Sequence, residues 1–171
     1  MKILIVYASH GGVARKCAEL LAESLIENHT VTVVDCRKEN IPTPDEFDVV
    51  VLGSSVRMEN IDRRIRKYAK ANLERLNSMP CAVFLCCGFT KLFPEYAESL
   101  FPRRFKPSLG SHLFGGELKP DRVHGFDKIV VALMRNSIQT QDFEEDDQDH
   151  HDLPEILPEN ISLLANSIRH I

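Results

Sequence analysis

Three clusters of small and polar residues follow apolar runs, and each has the makings of a ligand contact. Ser9-His10-Gly11-Gly12-Val13-Ala14 follows Ile3 to Tyr7 and runs straight into helical spacing. A helix N-terminus offers unpaired N–H groups and the positive end of a dipole, so a small-residue loop there can surround a phosphate. The same residues would equally make a tight turn capped by Ser9. His10 adds an imidazole that either shapes the turn or pairs with an anion. The second cluster, Gly53-Ser54-Ser55-Val56-Arg57-Met58-Glu59-Asn60, sets hydroxyl residues beside one cation, and the third is Cys87-Gly88-Phe89-Thr90-Lys91. Gathered on one edge, the first could hold a phosphate and the other two a flat ring between them.

Other chemistries lack their residues. The dinucleotide fingerprint G-x-G-x-x-G is missing, although Asp35 lies where such folds keep a ribose-binding acid, and the G-x-x-x-x-G-K-[ST] phosphate loop is missing too. A thiol nucleophile would be wanted inside the first loop, whereas Cys17 falls a full turn into the helix on its apolar side. Cys86 and Cys87 are neighbours in a strand pattern, so they point to opposite faces and make an awkward disulfide; core packing suits them better. His150 and His151 stand among acids without a further ligand at metal-binding spacing, and a solvated loop is the expectation there.

The elements that must position these clusters alternate in period. Ile3 to Tyr7 is a continuous apolar run of the kind buried on both faces of a parallel sheet. Val13, Cys17, Leu20, Leu21, Ser24 and Leu25 then recur at helical spacing, with Arg15, Lys16, Glu19 and Glu23 on the other faces. Val31 to Val34 and Asp48 to Gly53 read as strands, Ile61 to Leu76 as a helix, and Cys81 to Cys86 as a further strand. A Pro- and aromatic-rich stretch follows. His112 to Phe114 suits a short strand, with helices at Phe126 to Arg135 and Pro158 to His170. Strands interleaved with helices imply right-handed crossovers and a doubly wound α/β sheet. Ligands of such sheets bind outside the carboxyl ends of the strands, where the strand order reverses.

Composition sets the frame. With 171 residues, 43% hydrophobic and 27% charged, the chain suits one domain spanning 1–171. The net charge is -4, but residues 142–152 hold seven acids and no Lys or Arg. Of the 25 acidic residues, 18 are therefore left to balance 21 basic ones elsewhere, so a mildly basic body carries one acidic loop at about 140–153. No apolar run approaches the roughly 20 residues of a membrane helix, the start lacks a signal pattern, and the five cysteines read as reduced thiols. A cytoplasmic protein is expected. Neither a metal cluster nor a nucleic-acid motif is visible. Arg63, Arg64, Arg66, Lys67 and Lys70 make one helix face basic, which suits either plain solvation or an anionic membrane surface.

Taken together, Lys2-Ile3-Leu4-Ile5-Val6-Tyr7-Ala8-Ser9, Gly12 before the helix, Gly53-Ser54-Ser55-Val56-Arg57, Leu76-Asn77-Ser78-Met79-Pro80 and Phe114-Gly115-Gly116-Glu117-Leu118 carry a resemblance. The chain looks like a flavodoxin-like FMN protein and is similar to the menaquinone-dependent protoporphyrinogen oxidase (protoporphyrinogen IX dehydrogenase) family. The resemblance implies a five-stranded parallel sheet of order 2-1-3-4-5. It implies FMN, with its phosphate at Ser9, His10, Gly11, Gly12, Val13 and Ala14, and its ring between Ser54, Ser55, Val56, Arg57 and Met58 on one side and Cys87, Gly88 and Phe89 on the other. It also implies electron transfer from a porphyrinogen through flavin to a quinone, with no side chain named as a catalytic acid or base. Two positions depart from the family pattern: Ala14 stands where a Thr is usual, and Met58 where an aromatic often follows the Arg. The acidic loop departs as well, since a porphyrinogen's carboxylates would be repelled by it. The partners implied are a small-molecule redox substrate or a redox protein, with contact at the inner membrane face and a homodimer as further candidates. A flavodoxin-type electron carrier and a flavin-free binding module are the competing readings.

Overall fold

β1 (Lys2–Ala8) is apolar along nearly its whole length because both its faces are covered: Ile3, Leu4, Ile5, Val6 and Ala8 are fully buried. The computed structural model describes residues 1–88, 90–116 and 156–171. β1 pairs in parallel with β2 (Thr30–Asp35) on one side and β3 (Val49–Ser55) on the other, and β4 (Cys81–Cys86) and β5 (Ser111–Leu113) complete the sheet. The strand order is 2-1-3-4-5, as expected from the resemblance. The order reverses between β1 and β3, so the loops that leave these two strands diverge at their carboxyl ends and open a crevice.

Side-chain alternation sorts the core into two layers. Leu4, Val6, Val50, Leu52, Val83, Leu85 and Cys87 face the layer of α2 (Arg63–Ala71), α3 (Leu73–Asn77) and α4 (Phe93–Ser99). Ile3, Ile5, Val49, Val51, Ala82, Phe84 and Cys86 face α1 (Val13–Leu25) and α5 (Pro158–Arg169). Cys86 and Cys87 thus point to opposite faces. α1 buries Ala14, Cys17, Ala18, Leu21 and Leu25; of the stripe read from the sequence Cys17, Leu21 and Leu25 are buried, while Val13, Leu20 and Ser24 lie half-buried at its border and Ala14 and Ala18 complete the face. Each large aliphatic side chain buried in this way contributes about 1.5–3 kcal/mol.

One helical expectation is corrected and one further helix is added. The segment Ile61 to Leu76 is not one helix but α2 and α3, broken at Asn72, whose φ of -112° and ψ of 24° leave the helical region. Its side-chain Nδ2 donates to the Tyr68 carbonyl at 3.0 Å, a local hydrogen bond that competes with helix continuation. The Pro- and aromatic-rich stretch contains α4, which tolerates Pro94 in its first turn and docks through Tyr96. Phe89, the helix expected at Phe126 to Arg135, the acidic loop and His150 and His151 lie outside the described residues.

Candidate functional site

The loop after β1 is built around its glycines. Ser9 Oγ accepts the Gly12 N–H at 3.0 Å, closing a three-residue turn, and Gly12 has a φ of 92°, where a Cβ would be strained. The first helical hydrogen bond of α1 runs from the Lys16 N–H to the Gly12 carbonyl, so the N–H groups of Val13, Ala14 and Arg15 have no acceptor within the helix. No acidic side chain stands in the first turn, and the N-cap residue supplies no side-chain cap. A Cβ at Gly11 would meet open space. His10 and Gly11 are exposed at the rim. Ala14 is fully buried in the α1 layer, so this position offers its backbone N–H and nothing from its side chain.

At the end of β3 the two serines divide their labour. Ser54 is buried, its hydroxyl donating to the Ser55 carbonyl at 3.0 Å and accepting the Asp62 N–H at 3.2 Å, so it holds the loop together. The Ser55 hydroxyl is buried and has no hydrogen-bond partner. A buried hydroxyl without a partner costs about 1–3 kcal/mol, which makes this atom the clearest sign of a ligand contact at the sheet edge. The register Ala8↔Ser54 and Ser55↔Cys86 sets it beside the start of the first loop. Gly53 is required below it: a Cβ there would fall 1.9 Å from Phe84 Cζ, in a ring stacked on Phe114 at 4.6 Å.

Beyond Ser55, the Val56 N–H donates to the Cys86 carbonyl at 2.9 Å, and Arg57 and Asn60 exchange backbone hydrogen bonds of 2.8 and 2.9 Å across a tight turn. Its central residues, Met58 and Glu59, have φ of 46° and 58°, the positive pair that a type I′ turn demands and glycine usually supplies. Such conformations cost about 1–3 kcal/mol each and cluster at ligand clamps. Met58 is held at the tip, 62% exposed.

The third loop leaves β4 through Cys87 and Gly88. Gly116 packs so closely on Cys87 that a Cβ would lie 2.8–2.9 Å from its backbone atoms, and the Cys87 N–H donates to the Gly115 carbonyl at 2.9 Å. This region also holds Tyr96, an aromatic the motif reading passed over. It is buried, and its phenol is pushed up by burial, then by the nearby Glu59 and Cys87. The structure therefore brings Ser9 to Ala14, Ser55 to Met58, and Cys87 and Gly88 to the carboxyl edge of the sheet, while the Ser54 side chain is spent inside the protein.

Arg37 and Asp62 were likewise missed. The Arg37 Nη1 donates to the Ser9 carbonyl at 2.7 Å, and its Nε lies 3.9 Å from Asp62 Oδ2. Neither belongs to a recognisable motif. By contrast, the groove of about 500 Å³ bordered by Tyr7, Arg15, Glu19, Glu23, Asp35, Lys38 and Glu39 holds more acids than bases, which suits a phosphate poorly. The thiols are unsuited to nucleophilic roles. All five cysteines are buried and free, Cys36 and Cys81 are pushed up to about 12, mainly by burial, and Cys86 is raised by its contact with Cys17 and by burial.

The flavodoxin domain model matches residues 4–146, most of the chain and all three loops. The chain belongs to the flavodoxin domain family. It is 32% identical over 144 residues to the protoporphyrinogen IX dehydrogenase [quinone] of Escherichia coli strain K12, an alignment covering 78% of each protein. Among solved structures, the oxidised flavodoxin 1 of Bacillus cereus shares the fold with a TM-score of 0.51 at 13% identity, covering 83% of this chain and 100% of that one. The flavodoxin of Streptococcus pneumonia TIGR4 gives 0.53 at 16% identity, with 99% of both chains covered. At these identities the two structures bear on fold alone.

The loops fit the group this family implies. A phosphate needs uncommitted N–H donors without a neighbouring acid, which the start of α1 provides, and the unpartnered Ser55 hydroxyl is matched to a polar atom of a ligand.

Proposed function

We propose that this flavodoxin-domain protein binds FMN and is an oxidoreductase that withdraws hydrogen from protoporphyrinogen IX and passes the electrons to a quinone. The buried, unpartnered Ser55 hydroxyl beside a phosphate-competent loop is the observation that carries the flavin reading. The 32% identity to a protoporphyrinogen IX dehydrogenase supports the choice of substrate and acceptor.

FMN, when bound, supplies reversible two-electron chemistry between donor and acceptor, and the protein supplies position and electrostatics. The backbone N–H groups of Val13, Ala14 and Arg15 would take the phosphate, with the helix dipole adding to their attraction. Ser55 would donate its hydroxyl to the flavin. Met58 at its turn and the Cys87-Gly88 backbone would flank the ring, shielding it from water. Arg57, half-buried in the same loop, would supply positive charge beside the bound flavin.

A quinone acceptor partitions into membranes. Among the described residues no helix is long and apolar enough to cross one. The exposed Arg63, Arg64, Arg66, Lys67 and Lys70 of α2 would instead draw the protein to an anionic surface.

The first test is the visible spectrum of the purified protein before and after addition of FMN and gel filtration. Flavin bands retained through the column support the cofactor, and protoporphyrin formation from protoporphyrinogen IX with a menaquinone analogue then supports the reaction. A colourless protein that retains no added FMN overturns the whole reading. A flavin-loaded protein that is inert in the second assay leaves the electron-carrier reading in its place.

A further inference from the structure

Resting on the FMN reading above, we propose that Arg37 is a positioning residue for the flavin phosphate, acting through the Ser9 carbonyl and anchored by Asp62. Three loops that no sequence motif connects meet at this side chain. Arg37 lies in the turn after β2, and its own N–H donates to the Asp35 carboxylate at 3.1 Å, which fixes where its side chain leaves the backbone. From there the guanidinium reaches the first loop, donating to the Ser9 carbonyl at 2.7 Å. Its Nε lies 3.9 Å from Asp62, the residue before α2.

Asp62 is itself well held. Its Oδ1 accepts the Arg64 N–H at 2.8 Å as the helix cap, its own N–H donates to Ser54 Oγ at 3.2 Å, and its side chain is only 6% exposed. Arg37 thus braces the phosphate loop against the end of β3 through a carboxylate that cannot swing away. One guanidinium spans both because its Nη1 donates a hydrogen bond to the Ser9 carbonyl while its Nε faces the Asp62 carboxylate at 3.9 Å, an ion pair and not a second hydrogen bond.

Two consequences follow for a phosphate. The Ser9 carbonyl is an acceptor, and left unbraced it could turn toward the anion and repel it; with Arg37 on it, the open side of the loop presents N–H groups. The guanidinium also brings to the loop a positive charge that does not depend on a Thr hydroxyl, which this chain lacks at Ala14. Charge-assisted contacts of this kind are stronger than neutral ones.

Riboflavin has the same ring and ribityl chain as FMN and no phosphate, so the pair isolates the effect. Full-length apoprotein is titrated with each, following quenching of flavin fluorescence. Arg37→Met is expected to weaken FMN binding by roughly tenfold or more while leaving riboflavin binding within about twofold. Arg37→Lys, which keeps the charge without the fork, is expected to fall between wild type and Arg37→Met. Should Arg37→Met fold poorly, Asp62→Asn keeps the helix cap and removes the anchor's charge, and the same selective loss for FMN is expected at smaller size.

Equal weakening of FMN and riboflavin, or an unchanged FMN affinity in both Arg37→Met and Asp62→Asn, overturns the proposal and leaves Arg37 a structural tie. A wild-type protein that binds riboflavin as tightly as FMN overturns it too, because then no phosphate site is in use. If wild type binds neither flavin, the FMN reading itself fails, a result separate from any defect confined to the variants.

Discussion

Replacing Ser55 by Ala should move stability and flavin affinity in opposite directions. In the folded apoprotein the Ser55 hydroxyl is buried without a partner. Such a group carries a desolvation penalty of about 1–3 kcal/mol, and the methyl of Ala at the same site carries none. Offsetting this is the small loss of packing from one deleted atom. A net gain of about 1 kcal/mol is expected, a rise in the apoprotein's Tm of roughly 2–4 °C for a domain of this size. On the flavin-bound side the same change would delete the hydrogen bond proposed between Ser55 and the flavin, worth about 0.5–1.5 kcal/mol, so Kd should rise by roughly twofold to tenfold. Thermal unfolding of apoprotein by circular dichroism, and fluorescence titration with FMN, read the two quantities separately. A Ser55→Ala protein that melts lower than wild type and binds FMN equally well would refute the reasoning, since the hydroxyl would then be serving the fold.

The strained turn gives a second expectation: Glu59→Gly removes the positive-φ penalty at a residue with φ of 58°. After the entropy that glycine costs in the unfolded chain, the gain is about 0.5 kcal/mol, and a lower Tm for the variant would argue against strain at this position. Gly116→Ala pushes a Cβ to within 2.8 Å of the Cys87 backbone, which cannot yield as a side chain would; destabilisation of about 1–3 kcal/mol and weaker FMN binding are expected, and a variant equal to wild type in urea unfolding would show that the two segments separate freely. Alkaline stability tests the buried thiols. Cys81 in the folded protein is pushed up to about 12 from an ordinary value of 9.0, so above pH 9 the unfolded chain loses this proton first and stability falls as pH rises. At pH 10 the loss from Cys81 is on the order of 1 kcal/mol, and urea midpoints measured from pH 8 to 10 should decline less steeply in Cys81→Ala; parallel declines would count against it.

Much of the fold was legible because its signals are local. The continuous apolar run of β1 and the helical spacing from Val13 to Leu25 each follow from local pattern alone; β4 has its expected bounds, β1 gains one residue at each end, and β3 starts one residue later and ends two later than expected. The opposite facing of Cys86 and Cys87 needed only the two-residue period of a strand. The break at Asn72 was not legible, because the apolar spacing continues through it and the side-chain hydrogen bond to the Tyr68 carbonyl that accompanies it is no part of that spacing. α4 was hidden by Pro94, a residue that punctuates as often as it starts a helix.

The candidate site divides in the same way. The small residues of Ser9 to Gly12 and the pair Ser54-Ser55 stood out by type and by position after an apolar run, so the three loops could be named from the sequence. Their separate duties could not. Ser54 and Ser55 are chemically identical neighbours, and only the backbone N–H of Asp62 on one of them leaves the other unpartnered. Arg37 meets the Ser9 carbonyl across 28 positions, and Cys17 meets Cys86, at 3.6 Å, across 69. Periodicity and residue type are properties of a short stretch, and they determine which elements form and which residues they can offer. Contacts between loops depend on strand order and parallel register, which crossover connections set over long separations. For that reason the tertiary structure alone decided which hydroxyl is unpartnered and which cation reaches the Ser9 carbonyl in the loop after β1.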